Sequence, residues 1–279
     1  MKKKSRSTIL RYVILVVVGI VMIYPVVWLF FASFKSNDEL FGSASLIPKK
    51  FMWDSYIEGW KGTGQYGYST FFLNTIKLVI PTVVFTVISS AVVAYGFARF
   101  KFPFKKILFA LMISTLMLPN AVVIIPKYML FRDLGWIDSY NPFIVPAIFA
   151  GYPFFIFMLV QFFRGVPREL DEAATIDGCN SFTIFVKIML PLSKPALFSV
   201  GIFQFMWTWN DFFNSLVYIN SVSKLTLPLA LRISLDASAS VNWNQIMAMA
   251  LVSILPCILI FFFAQKHFVE GIATTGMKG

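Results

Sequence analysis

Charge is scarce in this chain. Only 13% of its 279 residues are Asp, Glu, Lys or Arg, against about 25% in an ordinary soluble domain. A water-facing surface of normal extent cannot be built from that supply, which excludes a conventional globular enzyme. Histidine occurs once, at His267, so a zinc centre built on histidines is excluded. The two cysteines, Cys179 and Cys257, stand far apart in different surroundings, and neither a disulfide framework nor a CxxC metal site is available. No run GxxxxGKS or GxxxxGKT occurs, and the glycine-rich stretch from Gly62 to Thr70 (GTGQYGYST) lacks the lysine. The chain therefore has no P-loop to hold ATP.

What is present is apolar: 58% of residues are hydrophobic, 18% are aromatic, and 32 are Phe. The net charge of +11 is spread among apolar runs of helix length, a pattern that points to a lipid bilayer and not to nucleic acid. Crossing about 30 Å of hydrocarbon takes roughly 20 apolar residues in a helix. Six segments qualify: Tyr12 to Phe34, Phe71 to Phe97, Ile107 to Leu130, Pro142 to Phe163, Ala196 to Ile219 and Gln245 to Gln265. The pattern predicts an all-α integral membrane protein of six spans. Pro25, Pro81, Pro119, Pro126, Pro146, Pro153 and Pro256 fall in or near them and are expected as kinks, because bundle neighbours can satisfy the freed carbonyls. The first apolar run is longer than a signal-peptide core and no small-x-small cleavage site follows it, so it reads as a retained anchor.

Orientation follows from Lys and Arg in the connections. Residues 1–11, 98–106, 164–194 and 266–279 carry 15 of them in 65 residues, whereas 35–70, 127–142 and 220–245 carry 8 in 78. The first set is expected in the cytoplasm, together with both termini. Lys77, inside the second span, is expected to snorkel from near its outer end. Outside, residues 35–70 mix acids with aromatics such as Trp53, Tyr56 and Trp60, which suits a small interfacial cap or a partner contact.

The connection between spans four and five is the most informative stretch. Pro167 fits a first helical turn, Glu169, Asp171 and Glu172 favour its positive end, and Gly178 stands where a left-handed cap would end it. Asn180 or Ser181 can cap a second helix, whose Phe182, Phe185, Val186 and Met189 recur at helical spacing before Pro191 stops it. Ala173 and Ala174 form a small patch that another backbone can approach, flanked by Glu172 and Asp177. Such a hairpin can be a knob for a partner's groove or an amphipathic segment packed on its own bundle.

EAATIDGCNSFTIFVKIMLP, from Glu172 to Pro191, resembles the EAA motif of the membrane subunits of bacterial ABC importers. Glu172, Ala173, Ala174, Gly178, Ile188, Leu190 and Pro191 stand at the family's positions. AYGFARFKFPFKK (Ala94 to Lys106), WTWNDFFNSL (Trp207 to Leu216) and the ending EGIATTGMKG (Glu270 to Gly279) resemble its carbohydrate, maltose-type branch. The resemblance implies a type I importer permease: a basic N-terminus over 1–11, a transmembrane domain over 12–268 with a coupling hairpin at 164–194, and a cytoplasmic tail over 269–279. It implies a bacterial inner-membrane location, a second related permease subunit, two ATPase subunits that bind ATP and Mg, and an extracytoplasmic sugar-binding protein. It implies no cofactor in this chain itself. In that family the hairpin docks in a cleft of the ATPase, so Glu172 should meet a basic residue there. The tail also reaches the ATPase interface, which implies contacts by Gly276 and Lys278, although Thr275 and Gly276 stand where the family more often reads Gly-Ala.

Charged groups inside spans are costly and tend to mark pathways or paired structural sites. Asp211 lies about 15 residues, roughly 22 Å, along the fifth span. Gln204, Trp207, Asn210, Asp211 and Asn214 share one face at three- and four-residue spacing. With Trp209 they offer aromatic planes beside amides and a carboxylate, suited to sugar; the alternative is a structural cluster near a helix end. An importer of another solute is a second functional reading, and an ion-coupled secondary transporter a third. The latter commonly shows inverted repeats and buried ionisable pairs, and the sequence has no convincing internal repeat and no mid-span acid pair.

Overall fold

The computed structural model describes residues 2–62, 65–236 and 242–276, with side chains over 8–62, 65–236 and 242–263. All regular structure among them is helical. The chain divides into two compact units, Met1–Ser69 with Ala230–Pro256, and Thr70–Leu229 with Cys257–Gly279.

In the first unit, α1 (Lys2–Ala32) is a single helix with Pro25 inside it. Most of its apolar side chains from Ile9 to Val26 are exposed, Met22 by 72%, as lipid contact requires. After it, α2 (Asn37–Gly42) and α3 (Asp54–Lys61) build a small aromatic nest. Phe34 meets Phe51, Trp53 and Tyr56 at ring distances of 5.4, 4.9 and 5.2 Å, and Lys35 donates to the Ser45 carbonyl. Asn244, near the start of the last helix, donates through its backbone N–H to Asn37 Oδ1 (3.1 Å) and through Nδ2 to Ser55 Oγ (3.2 Å).

The second unit holds most of the bundle. α4 (Tyr68–Arg99) is continuous through Pro81, and Lys77 on it is exposed. The expected third span is two helices, α5 (Lys105–Thr115) and α6 (Asn120–Asp133), bent by 103°. The reason is local. Ser114 and Thr115 turn their hydroxyls back onto the Leu111 and Met112 carbonyls (2.7 Å each), and Pro119 offers no N–H to continue the ladder. The fourth span is α7 (Asn141–Ile148) and α8 (Pro153–Gly165). It breaks at Ala150, which adopts φ 57°, and Gly151, whose Cα sits so near Pro146 that a Cβ would lie 2.9 Å from it. Pro119 and Pro153 therefore mark helix starts, unlike Pro25, Pro81, Pro126, Pro146 and Pro256, which lie inside helices.

The hairpin comprises α9 (Glu169–Ile176), α10 (Ser181–Ile184), a π-helical segment Phe185–Met189 and α11 (Leu190–Leu192). A 75° bend at Ser193 leads to α12 (Lys194–Trp209). The expected fifth span is also broken: α12 stops at Trp209 and α13 (Phe213–Tyr218) resumes after three residues. α14 (Leu227–Asp236) and α15 (Trp243–Gly276) complete the chain. Among the described residues, four helical stretches are long and apolar enough to cross a membrane, and up to six if each bent pair is one span.

The core of this unit lies where α4, α8 and the hairpin meet. Phe155, Ile156, Leu159, Val160 and Phe163 form the buried stripe of α8, and Ala91, Ala94 and Ala98 of α4 are buried with them. Small residues let helices approach closely in a bilayer, where burial from water supplies no drive.

Candidate functional site

The hairpin is built by local chemistry. Arg168 is the residue flanking α9, and Glu169, Asp171 and Glu172 occupy its first turn, where the helix dipole favours negative charge. Pro167 precedes the helix and is not part of its first turn. At the other end Gly178 adopts φ +81°. Cys179 N–H reaches the Ala174 carbonyl (2.9 Å) and Gly178 N–H that of Thr175 (3.0 Å), the left-handed closure that glycine permits. Asn180 is the cap of the second arm, its Oδ1 accepting the Thr183 N–H at 2.8 Å. Pro191 does not end that arm, which runs to Leu192. Because Pro191 has no N–H, the turn before it widens, and Leu190 N–H reaches back to Phe185 O in π register.

The small patch divides between two faces. Ala174 is buried in the core with Ile184, Phe185 and Met189, and Ile188 and Leu190 pack partly against it. Glu172, Ala173 and Asp177 face outward, beside Ile176 and Phe182, which are 87% and 74% exposed. The exposed surface is thus an apolar knob rimmed by acids. A residue absent from the sequence-based site, Arg99, joins the end of α4 to this hairpin through Asp171 at 2.7 Å. In the sequence it is a basic residue at a span end, which is common, within the stretch Ala94 to Lys106 that carries part of the resemblance.

A second feature is a cavity of about 990 Å³ lined by Gln204, Trp207, Asn210, Asp211 and Asn214. The structure thus brings five of the six polar-span candidates to one wall and adds Phe143 and Tyr152 from the fourth span, which sequence spacing could not find. Gln204 is buried, and its Nε2 donates to Thr208 Oγ1 at 2.8 Å. Asp211 sits in the break after α12, where Asn210 Nδ2 returns to the Met206 carbonyl (2.8 Å). Trp209 does not line the cavity: it is 3% exposed, stacked on Phe205 at 5.2 Å and edge-on to Phe72 at 5.6 Å. It is a packing residue in this fold, which separates it from the other five.

Two loops are pinned together near Phe143. Asp138, in a left-handed conformation (φ 58°), accepts from the N–H groups of Asn220 (3.0 Å) and Ser221 (2.8 Å) and from the Ser221 hydroxyl (2.6 Å). It also pairs with Lys224 at 2.9 Å. The Ser221 hydroxyl, then the Lys224 ammonium, hold its carboxyl well below the usual carboxylate range. Of the tail candidates, Gly276 is the last residue of α15, and Lys278 lies outside the described residues.

Residues 87–274 match the family described as binding-protein-dependent transport system inner membrane component. The chain belongs to this family. The permease is 34% identical over 260 residues, 93% of its own length and 85% of the relative's, to a probable ABC transporter permease protein, YurM, of Bacillus subtilis. It is 32% identical over 283 residues to the arabinooligosaccharides transport system permease protein AraQ of Halalkalibacterium halodurans, covering 99% of this chain and 100% of that one. Its fold matches the crystal structure of a bacterial ABC transporter involved in the import of the acidic polysaccharide alginate. The TM-score is 0.84 at 22% identity, over 96% of this chain and 98% of that one. The permease is a membrane component of a transporter, and its fold is that of an ABC importer permease.

Proposed function

We propose that this permease subunit forms half of the translocation route of an ATP-driven importer of sugars or oligosaccharides. The observation that carries the solute class is the cavity wall, in which Trp207, Phe143 and Tyr152 stand among Gln204, Asn210, Asp211 and Asn214. Apolar ring faces of a sugar stack on aromatic planes, while its hydroxyls need donors and acceptors at fixed positions. Relatives named for arabinooligosaccharides, alpha-glucosides and galactooligosaccharides support the same class.

Energy arrives from outside the chain. The acid-rimmed knob formed by Glu172, Ala173, Ile176, Asp177 and Phe182 docks on a separate ATPase, two copies of which bind ATP and Mg. Gly178 sets the turn that presents the knob, Ile188, Leu190 and Pro191 carry its second arm, and the tail at Gly276 and Lys278 adds a further contact. A second permease completes the route and an extracytoplasmic binding protein delivers the sugar. Both termini face the cytoplasm of a bacterial cell, on the side richer in Lys and Arg.

The test is uptake in proteoliposomes that hold the complete assembly with its binding protein. ATP-dependent accumulation of labelled oligosaccharides, absent without the ATPase, is the expected result. Accumulation of amino acids or phosphate esters instead would move the solute class, and uptake with no ATPase present would overturn the mechanism.

A further inference from the structure

The hairpin touches its own bundle mostly through apolar side chains, which can slide over one another. From α4 it receives an ion pair and two hydrogen bonds to backbone carbonyls. Arg99, the last residue of that helix, places Nε 2.7 Å from Asp171 Oδ2. Its Nη2 donates to the Val166 carbonyl at 3.0 Å and lies 3.6 Å from Met189 Sδ. One guanidinium therefore joins four segments: the end of α4, the residue that follows α8, the first turn of α9 and the π-helical arm. The ion pair is shielded, with side-chain exposures of 6% and 21%. One helical turn earlier, Tyr95 donates to the Ser181 carbonyl (3.2 Å) and its ring lies 4.9 Å from that of Phe185. The end of α4 thus grips both arms of the hairpin, on either side of the Gly178 turn.

We propose that Arg99 is the positioning residue through which a push on the hairpin turns α4 and α8 as one body, and that Asp171 is the handle it holds. The proposal rests on the coupling role assigned to the hairpin above. Asp171 and Glu172 then divide the work, since neighbouring residues on a helix point about 100° apart. Glu172 faces the ATPase and Asp171 faces the bundle. The rigid fork of an arginine suits the task because it serves a carboxylate and a carbonyl at once, which a lysine ammonium on a flexible stem does less well. A shielded pair with one partner missing leaves a charge uncompensated, so the joint is expected to slacken when either member is changed.

The experiment is the ratio of solute imported to ATP hydrolysed by the complete importer in proteoliposomes, for wild type, Arg99→Ala, Arg99→Lys, Asp171→Asn and the reversed pair Arg99→Asp with Asp171→Arg. The single variants are expected to assemble with the ATPase and hydrolyse ATP while the ratio falls about tenfold. Arg99→Lys should lie between these and wild type, and the reversed pair should recover most of the loss. If Arg99→Ala is not recovered from membranes, Asp171→Asn and Arg99→Lys carry the test. A wild-type ratio in those variants, or loss of assembly in every one of them, would overturn the proposal. A wild-type complex that imports nothing with ATP defeats the coupling reading and the proposal with it. A wild type that imports normally beside an equally effective Asp171→Asn defeats only the role of Arg99.

Discussion

Asp211 and Asn214 close on each other at the gap between α12 and α13. The carboxylate accepts the Asn214 backbone N–H at 3.0 Å through Oδ1, and Asn214 Nδ2 approaches Oδ1 and Oδ2 at 3.1 and 2.8 Å. The acid is thereby both a wall of the cavity and the acceptor for one backbone donor in the first turn of α13. A polar break inside an apolar span is tolerated where it lines a cavity, and this pair is how the permease meets that condition.

Replacing Asp211 by Asn keeps the shape and removes the charge, so the assembled importer should still be recovered while its sugar uptake rate or selectivity changes. Trp207→Ala should act the same way, because that ring is half exposed on the cavity wall. Trp209→Ala should instead destabilise the purified permease by about 3 kcal/mol, as loss of a buried aromatic does. Uptake across a panel of sugars, beside thermal unfolding, separates the two tryptophans. Unchanged uptake kinetics for Asp211→Asn and Trp207→Ala would return those residues to a structural role.

Ala173 and Ala174 are adjacent but face opposite ways. Ala173→Leu should leave the folded permease intact and abolish copurification of the ATPase, because the added bulk stands on the exposed knob. Ala174→Leu should destabilise the permease itself by about 1–3 kcal/mol, because it overfills a packed core. The measurement is the melting temperature of each variant with the yield of bound ATPase, and identical behaviour of the two would contradict the assignment of faces.

Gly178 holds a backbone conformation that costs an L side chain about 1 kcal/mol or more. Gly178→Val should therefore uncouple ATP hydrolysis from uptake, and Gly178→Asn, which enters that region more readily, should retain much more transport. Equal activity in both would show that the turn geometry does not matter.

Asp138 offers a pH test with a defined sign. Its carboxyl in the folded chain titrates below the ordinary range, so its contribution is full above the unfolded value of about 3.9 and is lost as pH falls through the folded value. The loop joint should then be unchanged between about pH 5 and 8. Asp138→Asn should cost about 1 kcal/mol at pH 7, from weakened hydrogen bonds to a charged acceptor. The difference in melting temperature from wild type should shrink as the medium is acidified below the carboxylate range, and a constant difference would remove Asp138 as its source.

Much of the site could be read along the chain because its signals are short-range. The Gly178 turn, the acids at the start of α9 and the cap after the turn all lie within a few residues of what they act on. The shared face of Gln204, Trp207, Asn210, Asp211 and Asn214 is likewise a matter of helical spacing. Arg99 was hidden because its partner Asp171 stands 72 residues away, and Tyr152 and Phe143 because nothing in their spacing relates them to Asp211.

The residues alone determined that the chain enters a bilayer as helices, since an unpaired backbone in hydrocarbon has no other remedy and so little charge cannot clothe a soluble surface. They also determined the hairpin, whose caps and left-handed glycine are local choices of the backbone. Only the tertiary structure decided where the spans break, which of two neighbouring alanines faces the core, that Trp209 packs while Trp207 lines the cavity, and which arginine holds the hairpin. Those outcomes depend on segments distant in sequence competing for the same space and the same hydrogen-bond partners, a competition that no periodicity within one segment records.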